Sequence, residues 1–84
     1  MGELSKLPNI GEAIERQLNQ AGITTYEQLK ETGSRQAWLK IKMADTSACI
    51  NRLYSLEGAI QGVRKNKLSA AVKTELKEFY NSNK

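Results

Sequence analysis

Apolar residues recur along the chain mostly at three- and four-residue steps, the spacing that places them on one face of an α-helix. No segment alternates apolar and polar residues as a half-buried strand does. The pattern therefore predicts an all-α fold, a compact bundle of about five short helices with crossed packing. The predicted helices cover approximately residues 11–21, 26–31, 35–44, 46–62 and 70–81.

Turn and capping residues separate the predicted helices. Pro8 excludes an unbroken helix from Lys6 into Ile14. Gly22 and Gly33 are expected to end the first and second helices, with Gly22 as a left-handed cap. The residues expected to cap the N-termini of the later helices are Thr24 or Thr25, Ser34, Asp45 or Thr46, and Ser69.

The fourth predicted helix is expected to be the longest. Its apolar stripe includes Cys49, which we expect to be a buried, inert thiol. Gly58 and Gly62 interrupt the same helix, although each glycine costs about 1 kcal/mol relative to alanine in a helix interior. Because glycine inside a helix usually marks a close approach of backbones, we expect the pair to allow close helix–helix packing rather than ligand binding. The last residues, 81–84, are expected to fray.

Residues 7–29 resemble the helix-hairpin-helix pattern, in which a hydrophobic-Gly-hydrophobic-Gly turn precedes a helix and a Gly-Ile-x-Thr bend follows it. Ile10 and Gly11 fit the turn. Asn9 takes the place of the first glycine, since asparagine tolerates left-handed backbone geometry better than most residues. Residues 22–25 fit the bend. The resemblance implies a helix-hairpin-helix or SAM-like arrangement, with at most one helical turn ahead of the hairpin.

A hairpin of this kind can bind a phosphate group, because backbone N–H groups at a helix N-terminus point at the anion and the helix dipole favours it. Here the contact would involve Asn9, Ile10 and Gly11. Glu12 and Glu15 follow directly, and carboxylates at that position satisfy the helix end and repel a phosphate. The sequence leaves two interpretations open, a purely structural joint and a phosphate contact.

Positive charge is concentrated in the middle of the chain. The net charge is +4, and residues 34–67 alone carry +5. A basic segment favours nucleic acid or an acidic protein surface as a partner, and the alternative is an ordinary solvated surface. The candidate contact cations are Arg35, Lys40, Lys42, Arg64, Lys65 and Lys67, of which the last three form a compact patch at a predicted helix end.

The composition argues against catalysis. The chain has no histidine, the commonest general base, and only one cysteine, so it offers neither a zinc site nor a Cys-His pair. It contains no phosphate-binding or dinucleotide-binding glycine motif. No apolar run approaches the roughly 18 residues of a membrane span. We therefore expect a non-enzymatic, cytoplasmic domain with no cofactor, no metal and no membrane contact.

Several segments taken together resemble the C-terminal domain of the TfoX/Sxy competence regulators. They are residues 7–11, 21–25, 37–39 and 53–62, and the resemblance covers about residues 5–76. The runs Leu-Pro-Asn-Ile-Gly and Leu-Glu-Gly-Ala-Ile at this separation are its most specific part. The resemblance implies a helical domain linked to DNA uptake or transcriptional control, without catalytic residues.

Two departures limit what this resemblance implies. The family often carries a Trp-His pair after the Gly-Ala-Ile helix, where this chain has Lys65 and Asn66, so no role of that pair can be transferred. Larger family members also carry an N-terminal α/β domain that this sequence lacks. We expect residues 1–84 to form a single domain of the C-terminal kind.

Two functional hypotheses follow from the sequence. The first is an interaction module that acts through a protein partner in the transcription or competence machinery, and the acidic hairpin favours it slightly. The second is weak, sequence-nonspecific DNA binding through the hairpin and the central basic segment. The two differ in salt dependence, because contacts to several phosphates weaken steeply with salt and an apolar protein interface does not.

Overall fold

The computed structural model of the protein describes residues 3–45 and 48–83. This part of the chain forms five α-helices and two 3₁₀ turns and contains no strand. The all-α fold predicted from the apolar spacing is confirmed. The helices are α1 (Glu12–Gln20), α2 (Tyr26–Thr32), α3 (Ser34–Ala44), α4 (Ile50–Gln61) and α5 (Ala70–Asn83), and the 3₁₀ turns are Leu4–Lys6 and Lys65–Lys67.

A single hydrophobic core lies between the helices, with Trp38 of α3 fully buried within it. The Trp38 ring meets the rings of Phe79 and Tyr80 edge-on, at centroid distances of 6.1 and 5.5 Å. Its indole N–H donates to the backbone carbonyl of Cys49 at 3.1 Å, so the buried indole nitrogen has a hydrogen-bond partner. Leu76 is the buried residue of α5. The aromatic contacts therefore fasten α5 to the rest of the bundle.

Two of the predicted N-caps are confirmed. The Thr25 hydroxyl accepts a hydrogen bond from the Gln28 backbone N–H at 3.1 Å, and the Gln28 side-chain carbonyl accepts from the Thr24 N–H at 2.8 Å. The return bond goes to Thr24, the residue before the N-cap, so the arrangement is a variant of the capping box. At the start of α5 the Ser69 hydroxyl accepts from the Val72 N–H at 3.2 Å.

The remaining cap predictions are wrong or fall outside the described residues. Ser34 is the first residue of α3, and its buried hydroxyl donates to Glu57 of α4 at 2.6 Å instead of capping the helix. Asp45 ends α3 rather than starting α4, and its carboxylate accepts from Gln17 and Arg52. Thr46 lies outside the described residues.

The boundaries of the last two long helices also differ from the prediction. Helix α4 begins at Ile50, four residues later than expected, and has 12 residues. Helix α5 has 14 residues and is the longer of the two. It continues to Asn83 instead of fraying from residue 81, and the Asn83 amide donates to the Phe79 carbonyl at 2.8 Å.

The late start of α4 changes the environment of Cys49. This residue is the N-cap of α4, and its thiol is exposed, so the prediction of a buried thiol is wrong. The backbone N–H of Arg52, which points at the sulfur, holds the pKa of the Cys49 thiol below its usual value, and partial burial opposes this effect. The apolar stripe of α4 thus begins after Cys49.

None of the helices in residues 3–45 and 48–83 combines the length and the apolar character that crossing a membrane needs.

Candidate functional site

The loop between the first 3₁₀ turn and α1 takes the left-handed geometry that the sequence suggested. Asn9 has φ 69°, and among the described residues it is the one non-glycine with a positive φ. Asparagine reaches this region more readily than most residues, which explains why it can stand where the pattern has glycine. The loop, residues 8–11, therefore reverses the chain directly into α1.

The Asn9 side chain ties this loop to the segment that follows α4. Its amide nitrogen donates to the Val63 carbonyl at 2.9 Å, and its amide oxygen accepts from the Lys65 backbone N–H at 3.0 Å. The two hydrogen bonds span 54 and 56 residues of sequence. Because they bracket Arg64 on both sides, one side chain fixes the position of the basic segment against the loop.

Gly58 of α4 leaves the space that this arrangement needs. A Cβ atom at residue 58 would lie 2.5 Å from the Asn9 amide nitrogen and 2.7 Å from the Val63 carbonyl oxygen. The close helix–helix packing predicted for the pair Gly58 and Gly62 is wrong, because the atoms nearest to residue 58 belong to the loop side chain of Asn9 and to the chain that follows α4. Gly62 has φ 76° and closes α4 as a left-handed C-cap.

An open depression of about 560 Å³ lies where the loop meets the end of α4. Its lining residues are Lys6, Pro8, Asn9, Gly62 and Arg64. Lys65 and Lys67 are exposed on the adjoining 3₁₀ turn. We call these seven residues together the basic surface. Four of them are cations, and they come from two segments that are far apart in sequence.

The structure therefore brings together two of the predicted groups of site residues, the hairpin and the patch at residues 64–67. Asn9 and Arg64 line the same depression, and Gly11 is exposed as the N-cap of α1. Ile10 does not join them, because its side chain is only 5% exposed and belongs to the core. The backbone N–H of Ile10 donates to the Leu7 carbonyl at 3.3 Å, so it is not a free donor for a phosphate.

The three predicted cations on α3 have different surroundings. Arg35 pairs with Glu75 of α5 at 3.6 Å. The Lys42 ammonium lies 5.2 Å from the centre of the Trp38 ring and donates to the Asn83 carbonyl of α5. Lys40 is exposed, and helical geometry turns it away from the Trp38 face. Arg35 and Lys42 thus hold α5, and neither lines the depression.

The two acidic residues Glu12 and Glu15 lie in the first turn of α1, where a carboxylate interacts favourably with the helix dipole. The N-cap itself is Gly11, which has no side chain to offer. Glu12 pairs with Arg16 at 3.6 Å on the solvent side, and exposed pairs of this kind contribute little to stability. Glu15 is only 5% exposed, and its carboxylate accepts from the Ser5 backbone N–H at 3.0 Å. Its carboxylate is therefore directed at the first 3₁₀ turn.

Sequence reasoning missed Lys6, Pro8 and Gly62 as parts of the site. Of these three, Lys6 could have been predicted, because it precedes the loop at residues 8–11 by two positions and carries the same positive charge as Arg64, Lys65 and Lys67. The described residues hold no group of three His, Cys, Asp or Glu side chains that could bind a metal ion. The chemistry that this surface offers is cationic and hydrogen-bonding.

The comparison with known families decides the relationship. Residues 1–80 match the TfoX C-terminal domain. The chain belongs to the TfoX C-terminal domain family. This membership confirms the resemblance drawn from the sequence and relates the domain to the competence regulators.

One protein relative shows how much of a larger member this domain covers. The chain is 32% identical to Protein Sxy of Escherichia coli (strain K12) over 79 residues, which is 94% of this chain. It spans 38% of the length of Protein Sxy.

Two crystal structures from Listeria monocytogenes share the fold of this TfoX C-terminal domain. A triclinic form of an uncharacterized protein superposes with a TM-score of 0.94 over 96% of this chain and 92% of that one. A tetragonal form of a protein of unknown function superposes with a TM-score of 0.95 over 98% of this chain and 100% of that one. Both are 49% identical to this chain.

Proposed function

We propose that this domain is a non-catalytic interaction module of a competence-regulator-like protein, and that it binds the phosphate backbone of DNA through the basic surface. The observation that carries the proposal is that Lys6 and Arg64 line one depression beside the Asn9 loop, while Lys65 and Lys67 are exposed on the adjoining turn. Phosphate contacts of this kind position a protein on a duplex without reading its sequence.

The number of cations sets the expected strength of binding. Each phosphate that is neutralised changes the slope of log affinity against log salt concentration by about −0.9. Three or four contacts therefore give a slope of about −3, which is modest for a DNA-binding protein. The proposal accordingly describes weak, sequence-nonspecific binding by the domain itself.

The placement of the acidic residues supports DNA over a protein partner. The sequence favoured a protein partner because Glu12 and Glu15 were expected to repel a phosphate at the hairpin. Glu15 is turned inward to Ser5 and Glu12 is paired with Arg16. An interaction with the transcription or competence machinery remains the alternative, and it requires no salt-sensitive contact with a duplex.

A fluorescence-anisotropy titration tests the proposal. A labelled duplex of about 20 base pairs is titrated with the domain at about 50 and 200 mM salt. We expect saturable binding that weakens about 40- to 150-fold between the two salt concentrations, the change that three or four phosphate contacts produce. Absence of binding at the lower salt concentration would contradict the proposal and direct attention to protein partners.

A further inference from the structure

We infer that the depression seats one phosphate group between the Lys6 and Arg64 side chains, and that Asn9 is the positioning residue that keeps Arg64 at this seat. The inference rests on the proposed function, because a phosphate of a DNA backbone is the ligand it names. It differs from that proposal in predicting one built position rather than a diffuse patch of charge.

The lining of the depression favours one phosphate group. Two cations are contributed by separate parts of the chain, Lys6 by the first 3₁₀ turn and Arg64 by the segment after α4. Pro8 and Gly62 add no charge and no bulky polar side chain. None of the described residues that line the depression is acidic. Two cations around an open hollow suit a single phosphate group, which Arg can grip with two parallel N–H donors.

The end of α4 lies beside the depression. The C-terminus of a helix carries partial negative charge and is unfavourable for an anion. Here the local carbonyl groups are engaged within the protein: Val63 accepts from the Asn9 amide, Gly58 from the Val63 N–H and Ala59 from the Gly62 N–H. These bonds reduce the negative character that the depression would otherwise present, and the cations determine its charge.

The identity of residue 9 supports its positioning role. Glycine adopts a positive φ at no steric cost, so backbone geometry alone gives no reason to prefer asparagine there. Asparagine adds the two hydrogen bonds that bracket Arg64, to Val63 and to Lys65. The side chain of Asn9 thus positions Arg64 at the seat, because it holds the backbone on each side of that residue.

A pair of matched charge removals tests the seat in the duplex titration. Arg64 lines the depression, whereas Lys67 is exposed on the adjoining turn and does not line it. We expect R64Q to lower duplex affinity about tenfold at about 50 mM salt and to flatten the salt slope by about one unit, and K67Q to lower affinity less than about threefold. Equal losses for the two variants would overturn the inference and leave the proposed function in place.

The role of Asn9 is tested by N9G, which keeps the left-handed backbone and removes both hydrogen bonds. We expect N9G to weaken duplex binding by about three- to tenfold, and the double variant N9G/R64Q to bind no more weakly than R64Q alone. T25A, which loses a cap hydrogen bond of α2 outside the basic surface, controls for destabilisation and should bind like the unaltered domain. Additive losses in the double variant would overturn the positioning role.

A titration without DNA tests the phosphate seat independently of the proposed DNA binding. Amide chemical shifts of the domain are followed as sodium phosphate replaces sodium chloride at constant ionic strength. We expect a saturable shift at residues 9 and 62–65 that R64Q abolishes. Shifts with phosphate but no duplex binding would support the seat for free phosphate and contradict the proposed function. Absence of such shifts, with intact duplex binding, would overturn the seat.

Discussion

Replacement of Arg64, Lys65 and Lys67 together by glutamate is expected to lower the affinity for a duplex at least about 100-fold at about 50 mM salt, because three of the four cations of the basic surface are reversed. The remaining binding should show almost no salt dependence, since few counterions are then released. All three side chains are exposed, so the fold should survive the change. Anisotropy titration measures the affinity, and circular dichroism checks that the helices remain.

A matched control separates position from net charge. Reversal of Lys30, Lys40 and Lys77 changes three exposed cations on three other helices. Both triple variants take the formal net charge from +4 to −2. The control should retain most of the duplex affinity. A loss as large as that of the first variant would mean that overall charge, not the basic surface, governs binding.

Substitution Gly58→Ala is expected to destabilise the domain by about 2 kcal/mol, although alanine is intrinsically the better helix former by about 1 kcal/mol. The added methyl group meets the Asn9 amide at 2.5 Å and the Val63 carbonyl oxygen at 2.7 Å. Neither atom can move without breaking the hydrogen bond that joins the loop to the end of α4. Urea unfolding followed by circular dichroism measures the change in the free energy of unfolding.

Gly11→Ala is the control for this experiment. A Cβ atom at residue 11 has no neighbour within 4 Å, and φ −94° suits any residue. Because Gly11 is the N-cap of α1 and alanine is a poorer N-cap than glycine, we expect the free energy of unfolding of this variant to fall by less than about 1 kcal/mol. If Gly58→Ala proved as stable as Gly11→Ala, the close packing of Asn9 against α4 would be contradicted.

The helices could be predicted because their apolar spacing and caps act locally. Thr25 and Ser69 cap where the sequence suggested, and Gly22 and Gly33 have the positive φ of helix ends. The start of α4 was missed because the apolar stripe continues back to Cys49 in the sequence. In the folded chain the Cys49 carbonyl instead receives the Trp38 indole N–H, a contact that depends on tertiary packing.

The site could be predicted only in its separate parts. We could predict the left-handed turn at Asn9 and the cations at 64–67 from the sequence, because each belongs to one short segment. Their proximity in the fold could not be predicted, because it depends on hydrogen bonds between Asn9 and two residues that are 54 and 56 positions further along the chain. The inward turn of Glu15 was hidden for the same reason, since Ser5, its partner, lies ahead of the loop.

Amide chemical-shift mapping during titration with an unlabelled duplex at low salt tests most directly whether the basic surface is the contact surface. We expect the largest shifts in residues 6–11 and 62–67, and we expect a higher salt concentration to reverse all of them together. Shifts concentrated on α3 or α5, with residues 6–11 and 62–67 unchanged, would contradict the assignment of the basic surface as the contact surface.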